Sequence, residues 1–193
     1  MWEELIRDRG GTPISSLAEA GEAQLAGARF VALLSRDEGV LPAVAALEPA
    51  QAVAHLTVGG WATVVARAAH ANRFLERLRA SHVDAYLLKV GRVGGTDPAD
   101  SLEVKDEHVA AILNGVLAGT VEWERDPDFG YRVAAEVPGI DGRDRFLLIP
   151  RFLYARTGRV YEYAALVPEL KRKWVARLEA LEGLDGAIVD AVR

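Results

Sequence analysis

The sequence predicts an α/β fold, a mixed sheet with flanking helices, on three observations. The run Arg29-Phe30-Val31-Ala32-Leu33-Leu34 is continuous, apolar and of strand length, as suits a strand buried on both faces of a sheet. A stretch with apolar residues at helical spacing, 62–80, leads through a tight connection into a second such strand at 84–90, the order of an α/β layer structure. Two alternating segments, 120–124 and 131–135, flank a turn and read as an antiparallel pair. The 193 residues fit a single domain, 1–193, with 1–28 as an extended lead-in and 29–193 as the core.

Taken in order, the lead-in is interrupted by Gly10-Gly11 and Thr12-Pro13, and a short helix is expected near 16–25. The first strand ends at the polar turn Ser35-Arg36-Asp37-Glu38-Gly39. Leu47-Glu48-Pro49 sets proline where a first helical turn tolerates it, Gln51 to Leu56 continue that helix, and Gly59-Gly60 break it. In 62–80 the inward set is Val64, Val65, Ala68, Ala69, Phe74, Leu75 and Leu78, with Arg67, Arg73, Glu76, Arg77 and Arg79 facing water. A glycine-rich loop is expected over 91–100. Asp106 is the candidate cap of a helix over 107–117 that closes at Gly119. Turns are expected at 126–130 and 137–141. A last helix is expected over 167–181, ending at Gly183, with Tyr154, Tyr161 and Tyr163 packed around it.

Composition excludes several chemistries. There is no cysteine, which removes disulfides, thiolate zinc sites and cysteine nucleophiles. A net charge of −5 argues against nucleic-acid binding, and Lys171-Arg172-Lys173 reads as a solvated helix face. The first eight residues mix charges and lack an apolar signal core, and no apolar run approaches the roughly 20 residues of a membrane span. The expectation is a cytoplasmic protein without membrane contact.

A phosphate-binding loop needs glycines that bring backbone N–H groups to the phosphate and a lysine to neutralise it. Gly-Lys occurs nowhere, and Lys89, Lys105, Lys171 and Lys173 all lack a glycine context. The nearest approach is Gly91-Arg92-Val93-Gly94-Gly95-Thr96, after a strand but followed by Asp97-Pro98 where a helix should begin. Gly91, Arg92, Gly94 and Gly95 are candidate anion ligands, with a plain loop as the other reading. His55, His70, His82 and His108 are too far apart in sequence for a metal pair, and no metal site is expected. Asp126 and Asp128 flank a proline and read as turn chemistry; Glu122 and Glu124 share a solvated strand face. No serine has a nucleophile-elbow context.

Five segments, in order, resemble ATP-dependent phosphoenolpyruvate carboxykinases. Gly39-Val40-Leu41-Pro42-Ala43-Val44 is similar to that family's "GVLPPV", and Ala85-Tyr86-Leu87-Leu88 followed by Gly91 to "AYLVNTG". Val104-Lys105-Asp106 with Ala111-Ile112-Leu113-Asn114-Gly115 resembles "IKD…AILNG". Glu136-Val137-Pro138-Gly139-Ile140-Asp141 is similar to "ELPGVD", and Leu147-Leu148-Ile149-Pro150-Arg151-Phe152-Leu153-Tyr154-Ala155 to "ILDPRNTYA". The resemblance runs from about Arg29 to Leu181 and implies the C-terminal part of the family's mixed α/β nucleotide-binding lobe. It also implies a link to oxaloacetate decarboxylation coupled to phosphoryl transfer from ATP with magnesium and manganese.

The departures from that pattern bear on the chemistry. The family's phosphate loop and metal ligands have no counterpart here, and its mobile lid, expected between Gly60 and His70, is missing about 25 residues by comparison with the family pattern. By position, Ser101 replaces the adenine-contacting arginine of "KRISIKDT", Leu102 follows it, and Glu107 replaces the threonine. A carboxylate at Glu107 repels phosphate. Arg9-Gly10-Gly11-Thr12-Pro13-Ile14 echoes "TRxxYPI", which makes Arg9 a candidate substrate contact, an exposed charge being the other reading. The resemblance and its departures together imply a non-catalytic or accessory protein that works through a protein partner, homo-oligomer or residual ligand. The alternative is one part of a split carboxykinase, completed by a chain carrying the phosphate loop and only then using ATP, magnesium and manganese.

Overall fold

The computed structural model describes residues 4–7, 13–14, 30–35, 39–59, 68–81 and 83–193. In chain order the strands are β1 (Glu4–Arg7), β2 (Pro13–Ile14), β3 (Phe30–Ser35), β4 (Val44–Leu47), β5 (Asp84–Lys89), β6 (Gly91–Val93), β7 (Leu102–Val104), β8 (Glu122–Arg125) and β9 (Arg132–Glu136). The helices are α1 (Pro49–Val58), α2 (Ala68–Ser81), α3 (Asp106–Ala118), α4 (Pro150–Arg156), α5 (Val160–Glu179) and α6 (Gly186–Asp190), with a 3-10 turn at Gly142–Leu147. The class is mixed α/β, and every strand pair with a described register is antiparallel. The contacts fall into two compact units.

The first unit holds residues 1–35, 47–87 and 170–193. Its strands follow the order β2-β1-β3-β5, with Ile6 opposite Ile14 and Glu4 opposite Leu33. α1 starts with Pro49 at its first position after an extended Glu48, whose N–H is accepted by the Gln51 side chain at 2.9 Å. Ala52, Val53, Ala54, His55, Leu56 and Val58 are all buried, so this helix is covered on nearly every side. At its C-terminus the Arg177 guanidinium donates to the Val58 carbonyl at 3.1 Å.

α2 is more polar and buries a single stripe of Ala68, Ala71, Leu75 and Leu78. Covering Leu75 and Leu78 contributes about 1.5–3 kcal/mol each. That outweighs the differences in helix propensity among the polar residues on the outer face, each below about 1 kcal/mol. Asn72 ties the chain's end to this helix: its amide nitrogen donates to the Gly183 carbonyl at 2.9 Å and its oxygen accepts from the Asp185 N–H at 2.8 Å. Asp185 then caps α6 by accepting from the Ala187 N–H. Leu170, Trp174 and Leu178, one helical turn apart on α5, complete the core of this unit, with Trp174 edge-on to His55 at 4.8 Å.

The second unit holds residues 36–46 and 88–169. β4, β9 and β8 lie side by side in that order, and β8 is the terminal strand. β6 and β7 form a separate two-stranded hairpin with Arg92 opposite Glu103. Two glycine segments cross at the centre of the unit. The Gly94 N–H donates to the Gly39 carbonyl at 2.8 Å, and a Cβ on Gly39, whose φ is +88°, would sit 2.2 Å from the Gly95 nitrogen. The Ala43 N–H and carbonyl bond to Leu147 and Lys89. α3 closes at Gly119 in the left-handed conformation, where the Thr120 N–H reaches back to the Gly115 carbonyl. Gly115 is required by packing, because a Cβ there would meet the Val121 side chain at 2.9 Å.

Several sequence expectations need correcting. The stretch 91–100 is not loop throughout, since Gly91–Val93 pairs with β7. Lys105, not Asp106, is the capping residue of α3, because the His108 side chain accepts the Lys105 N–H and so starts the helix one residue early. The last helix begins at Val160, seven residues before the expected start, and carries Pro168 inside it. Pro168 is exposed and withdraws only the N–H that would meet the Ala164 carbonyl, a loss that packing of Tyr163, Val167 and Leu170 outweighs. α4 and α6 were not anticipated. The expected helix at 16–25 and the first part of 62–80 lie outside the described residues. Among the described residues no helix is long and apolar enough to cross a membrane.

Gly39→Ala combines a disfavoured φ with a clash against backbone that has nowhere to move. It should lower stability by about 3–5 kcal/mol, read as a shift of the urea midpoint, and the loss should exceed that of Gly130→Ala, where φ is also positive but an added Cβ would meet nothing.

Candidate functional site

The glycine hairpin gathers most of the residues with predicted roles. β6 brings Arg92 alongside Ser101, the first residue before β7. The Arg92 Nε donates to the Ser101 hydroxyl at 2.7 Å and one Nη to the Ser101 carbonyl at 3.2 Å, while the other lies 3.8 Å from Glu103. Ser101 is buried and its hydroxyl donates to the Asp97 carbonyl. Asp97 folds the tip by accepting the Ala99 N–H. A second arginine closes the loop from outside. Arg159 donates from one Nη to the carbonyls of both Gly94 and Asp100, each at 2.7 Å, and from Nε to Thr157. Its guanidinium lies 4.5 Å over the Tyr154 ring and 3.4 Å from Glu162. These are charge-assisted bonds to backbone, so the loop's shape is held by two cations that the loop itself occupies.

The first turn of α3 forms a second cluster. The His108 Nδ1 accepts the Lys105 N–H at 3.1 Å, which puts the ring proton on Nε2, 3.2 Å from the Asp144 carboxylate. Glu107 is exposed and pairs with Lys105 at 3.2 Å. His108 is buried and serves as a helix start bonded to a carboxylate.

The turn 126–130 supplies a third. Asp126 accepts the N–H groups of Asp128 and Phe129, the turn chemistry expected. Burial pushes its carboxyl above the ordinary aspartate range, and the Phe129 N–H opposes that rise. Tyr163 donates its phenolic proton to Asp128 at 2.9 Å; burial first, then the Asp128 charge, raises the phenol far above its usual range. Beside this turn, α4 and the start of α5 border an open groove of about 500 Å³.

Of the predicted ligands, Arg92, Gly94 and Ser101 are brought together, with Gly91 at the base of the hairpin, Gly95 in its loop and Leu102 buried in β7. Glu107 belongs to the separate cluster at α3. Arg9 lies outside the described residues. Tyr154 and Tyr163 pack together as expected, their rings tilted with centres 5.2 Å apart, but Tyr161 is 91% exposed and stands apart from them. Sequence reasoning missed Arg159 and the fully buried Lys89. A single sequence carries no signal for a contact between residues 65 positions apart, and Lys89 stands in a strand whose other residues look ordinary. Among the described residues there is no group of three or more metal-ligating side chains.

No family model matches the chain. It is similar to phosphoenolpyruvate carboxykinase (ATP) from Novosphingobium aromaticivorans, 28% identical over 214 residues that cover 95% of this chain and 39% of the relative. It is also 28% identical over 172 residues to the enzyme of the same name from Chelativorans sp., and 29% over 181 residues to that from Brucella melitensis biotype 1. Those alignments cover 74% and 79% of this chain against 31% and 32% of the relatives. The resemblance carried by the motifs therefore extends along nearly the whole chain. The chain spans between 31% and 39% of the length of these curated relatives.

Two measurements probe these clusters. Arg159→Ala should remove about 2–4 kcal/mol of stability and speed amide exchange at 94–101, leaving the β8–β9 pair protected. Asp126, with its carboxyl raised in the folded state, contributes a destabilising term that is full above the raised value and fades as pH falls toward the unfolded value of 3.8. Asp126→Asn keeps an oxygen for both N–H groups, so any gain over the parent in thermal midpoint should be largest at neutral pH and vanish near pH 4.

Proposed function

We propose that this chain is a non-catalytic or accessory protein derived from the C-terminal lobe of ATP-dependent phosphoenolpyruvate carboxykinase, acting through a partner or a residual ligand. The observation that carries this reading is the use made of the positions that the resemblance assigns to adenine. Where an arginine would extend toward the base, Ser101 is buried and bonded inside its own hairpin. The neighbouring Arg92, which could have substituted for it, is spent on Ser101 and Glu103. Where a threonine would stand, Glu107 presents a carboxylate to solvent. These residues do not fit an adenine nucleotide, and no step through ATP is assigned to them.

The alignment supports a further loss. It extends over 214 positions against the 193 residues of this chain, so more than twenty positions of the relative have no counterpart here. That agrees in scale with a missing lid between Gly60 and His70, a segment most of which lies outside the described residues. A lid excludes water during phosphoryl transfer, so its loss goes together with loss of chemistry.

A split carboxykinase remains the second reading, favoured by the fraction of the relatives' length that the chain covers. In that case a separate chain would bring the phosphate loop, magnesium and manganese. The two readings diverge in one assay. Alone, with ATP, both metal ions and oxaloacetate, the protein should form no phosphoenolpyruvate, and magnesium–ATP should not raise its thermal midpoint. Turnover by the chain alone that Arg9→Ala abolishes would overturn the proposal. Turnover appearing only on mixing with a chain that carries the phosphate loop would establish the split enzyme instead.

A further inference from the structure

Three dipeptides in this chain have the composition at which a side-chain carbonyl is open to attack by its own backbone: Asn114-Gly115, Asp141-Gly142 and Asp185-Gly186. The attacking atom is the nitrogen of the following residue, and glycine leaves it unshielded because it has no Cβ. Attack closes a five-membered ring, so that nitrogen must turn to the Cβ side of the Cα–C bond, at a ψ of about −120° for tetrahedral geometry. Sequence alone puts Asn114 first, because an amide gives up ammonia more readily than a carboxylate gives up oxygen. The fold changes that order.

Two of the three are held away from ring closure. Asn114 and Gly115 lie inside α3, with helical backbone and with Val121 packed against Gly115. Asp185 has a ψ of 125°, its carboxylate accepts the Ala187 N–H at 2.9 Å, and its own N–H is held by Asn72. Asp141 has none of these restraints. It is exposed, lies just before the 3-10 turn with φ −131° and ψ −173°, and its carboxylate caps nothing. Among the described residues that carboxylate enters no hydrogen bond or ion pair, and nothing accepts the Gly142 N–H. Closure needs a rotation of about 50° at Asp141 against more than about 100° at Asp185. The space that a Cβ would fill at Gly142 is empty, so nothing blocks the ring.

We infer that Asp141-Gly142 is a site of spontaneous isoaspartate formation, selected from the three by the fold. The Gly142 nitrogen bonds to the Asp141 carboxyl carbon, and one carboxyl oxygen leaves as water with the amide proton and the carboxyl proton, giving a succinimide. Water then opens the ring. Addition at the side-chain carbonyl restores aspartate; addition at the α-carbonyl leaves the main chain running through Cβ, one methylene longer, with a free α-carboxylate. The lengthened link enters a turn that starts with the Asp144 N–H donating to the Asp141 carbonyl at 3.0 Å and that holds Asp144 3.2 Å from the His108 ring. The modification therefore loosens both this turn and the start of α3. It is independent of whether the chain has lost its chemistry.

The test is to age the full chain for several weeks below its thermal midpoint, folded and in guanidinium chloride. Peptide mapping with a protease that cuts before aspartate but not before isoaspartate reads each site. In the folded chain, isoaspartate at 141 should exceed that at 114 and 185 by about tenfold or more, because local restraint suppresses the other two. Unfolding should cancel that order and put Asn114 first. Asp141→Glu, which would need a six-membered ring, should abolish the signal at 141. Ageing should also quicken amide exchange at 142–147 and in the first turn of α3, in the parent but not in this variant. A folded chain in which 114 or 185 reacts first, or in which 141 stays aspartate, overturns the proposal. So does the same order of sites in both states, a comparison that decides even if the variant fails to fold. Modification at 141 that leaves exchange unchanged overturns the consequence drawn for His108.

Discussion

The Arg159 guanidinium is the interaction on which the second unit depends. One Nη serves two carbonyls of the glycine loop, Nε serves Thr157 at the end of α4, and the plane of the group covers Tyr154. The residue that follows it opens α5. A loop, a helix end and a helix start therefore share one cation, 18% exposed at the side chain, for which no neutral side chain could substitute. The glycines of the loop are needed because the chain must pass within contact distance of Gly39 and Leu153 to reach this cation. Their close approach to other backbone, the property that suggested an anion, is taken up by the protein's own main chain.

That is also why the hairpin was only partly legible in the sequence. The fold class followed from local pattern: a run of apolar residues at 29–34, Leu75 and Leu78 in helical step, and Glu122 and Glu124 alternating outward with both exposed in the structure. The turn at Asp126 followed from its residue types. What failed to show was whatever rests on distant partners. Lys105 in the capping position depends on His108, whose ring is set by Asp144 thirty-six residues away. The early start of α5 accompanies the Tyr163 hydroxyl's bond to Asp128, a contact with a turn 35 residues away that local pattern does not show. Tyr161 looks like its two aromatic neighbours in the sequence and differs only in the direction it points.

The likeness to phosphoenolpyruvate carboxykinase (ATP) and the divergence from it fall on different kinds of residue. Gly39 and the Pro150 start of α4 are demanded by backbone geometry and Gly115 by packing against Val121, and they match the family's motifs. Ser101 and Glu107 are demanded by nothing in the packing of a nucleotide-binding lobe, and there the chain departs. Ser101 is held inside the hairpin, with Arg92 bonded to its hydroxyl and carbonyl.

The terminal strand β8 adds a constraint on how such a chain can meet others. Its sequence, Glu122-Trp123-Glu124-Arg125, places charges at three of four positions, its register is broken by a bulge at Glu122 and Trp123, and Arg125 stands opposite Arg132. An open row of backbone donors and acceptors invites another strand, yet an incoming strand would have to desolvate those charges and match an irregular ladder. The sheet is thereby closed to growth by addition at this margin. In a crowded cell the protein is guarded against the ribbon-like stacking that a smooth, uncharged border would permit.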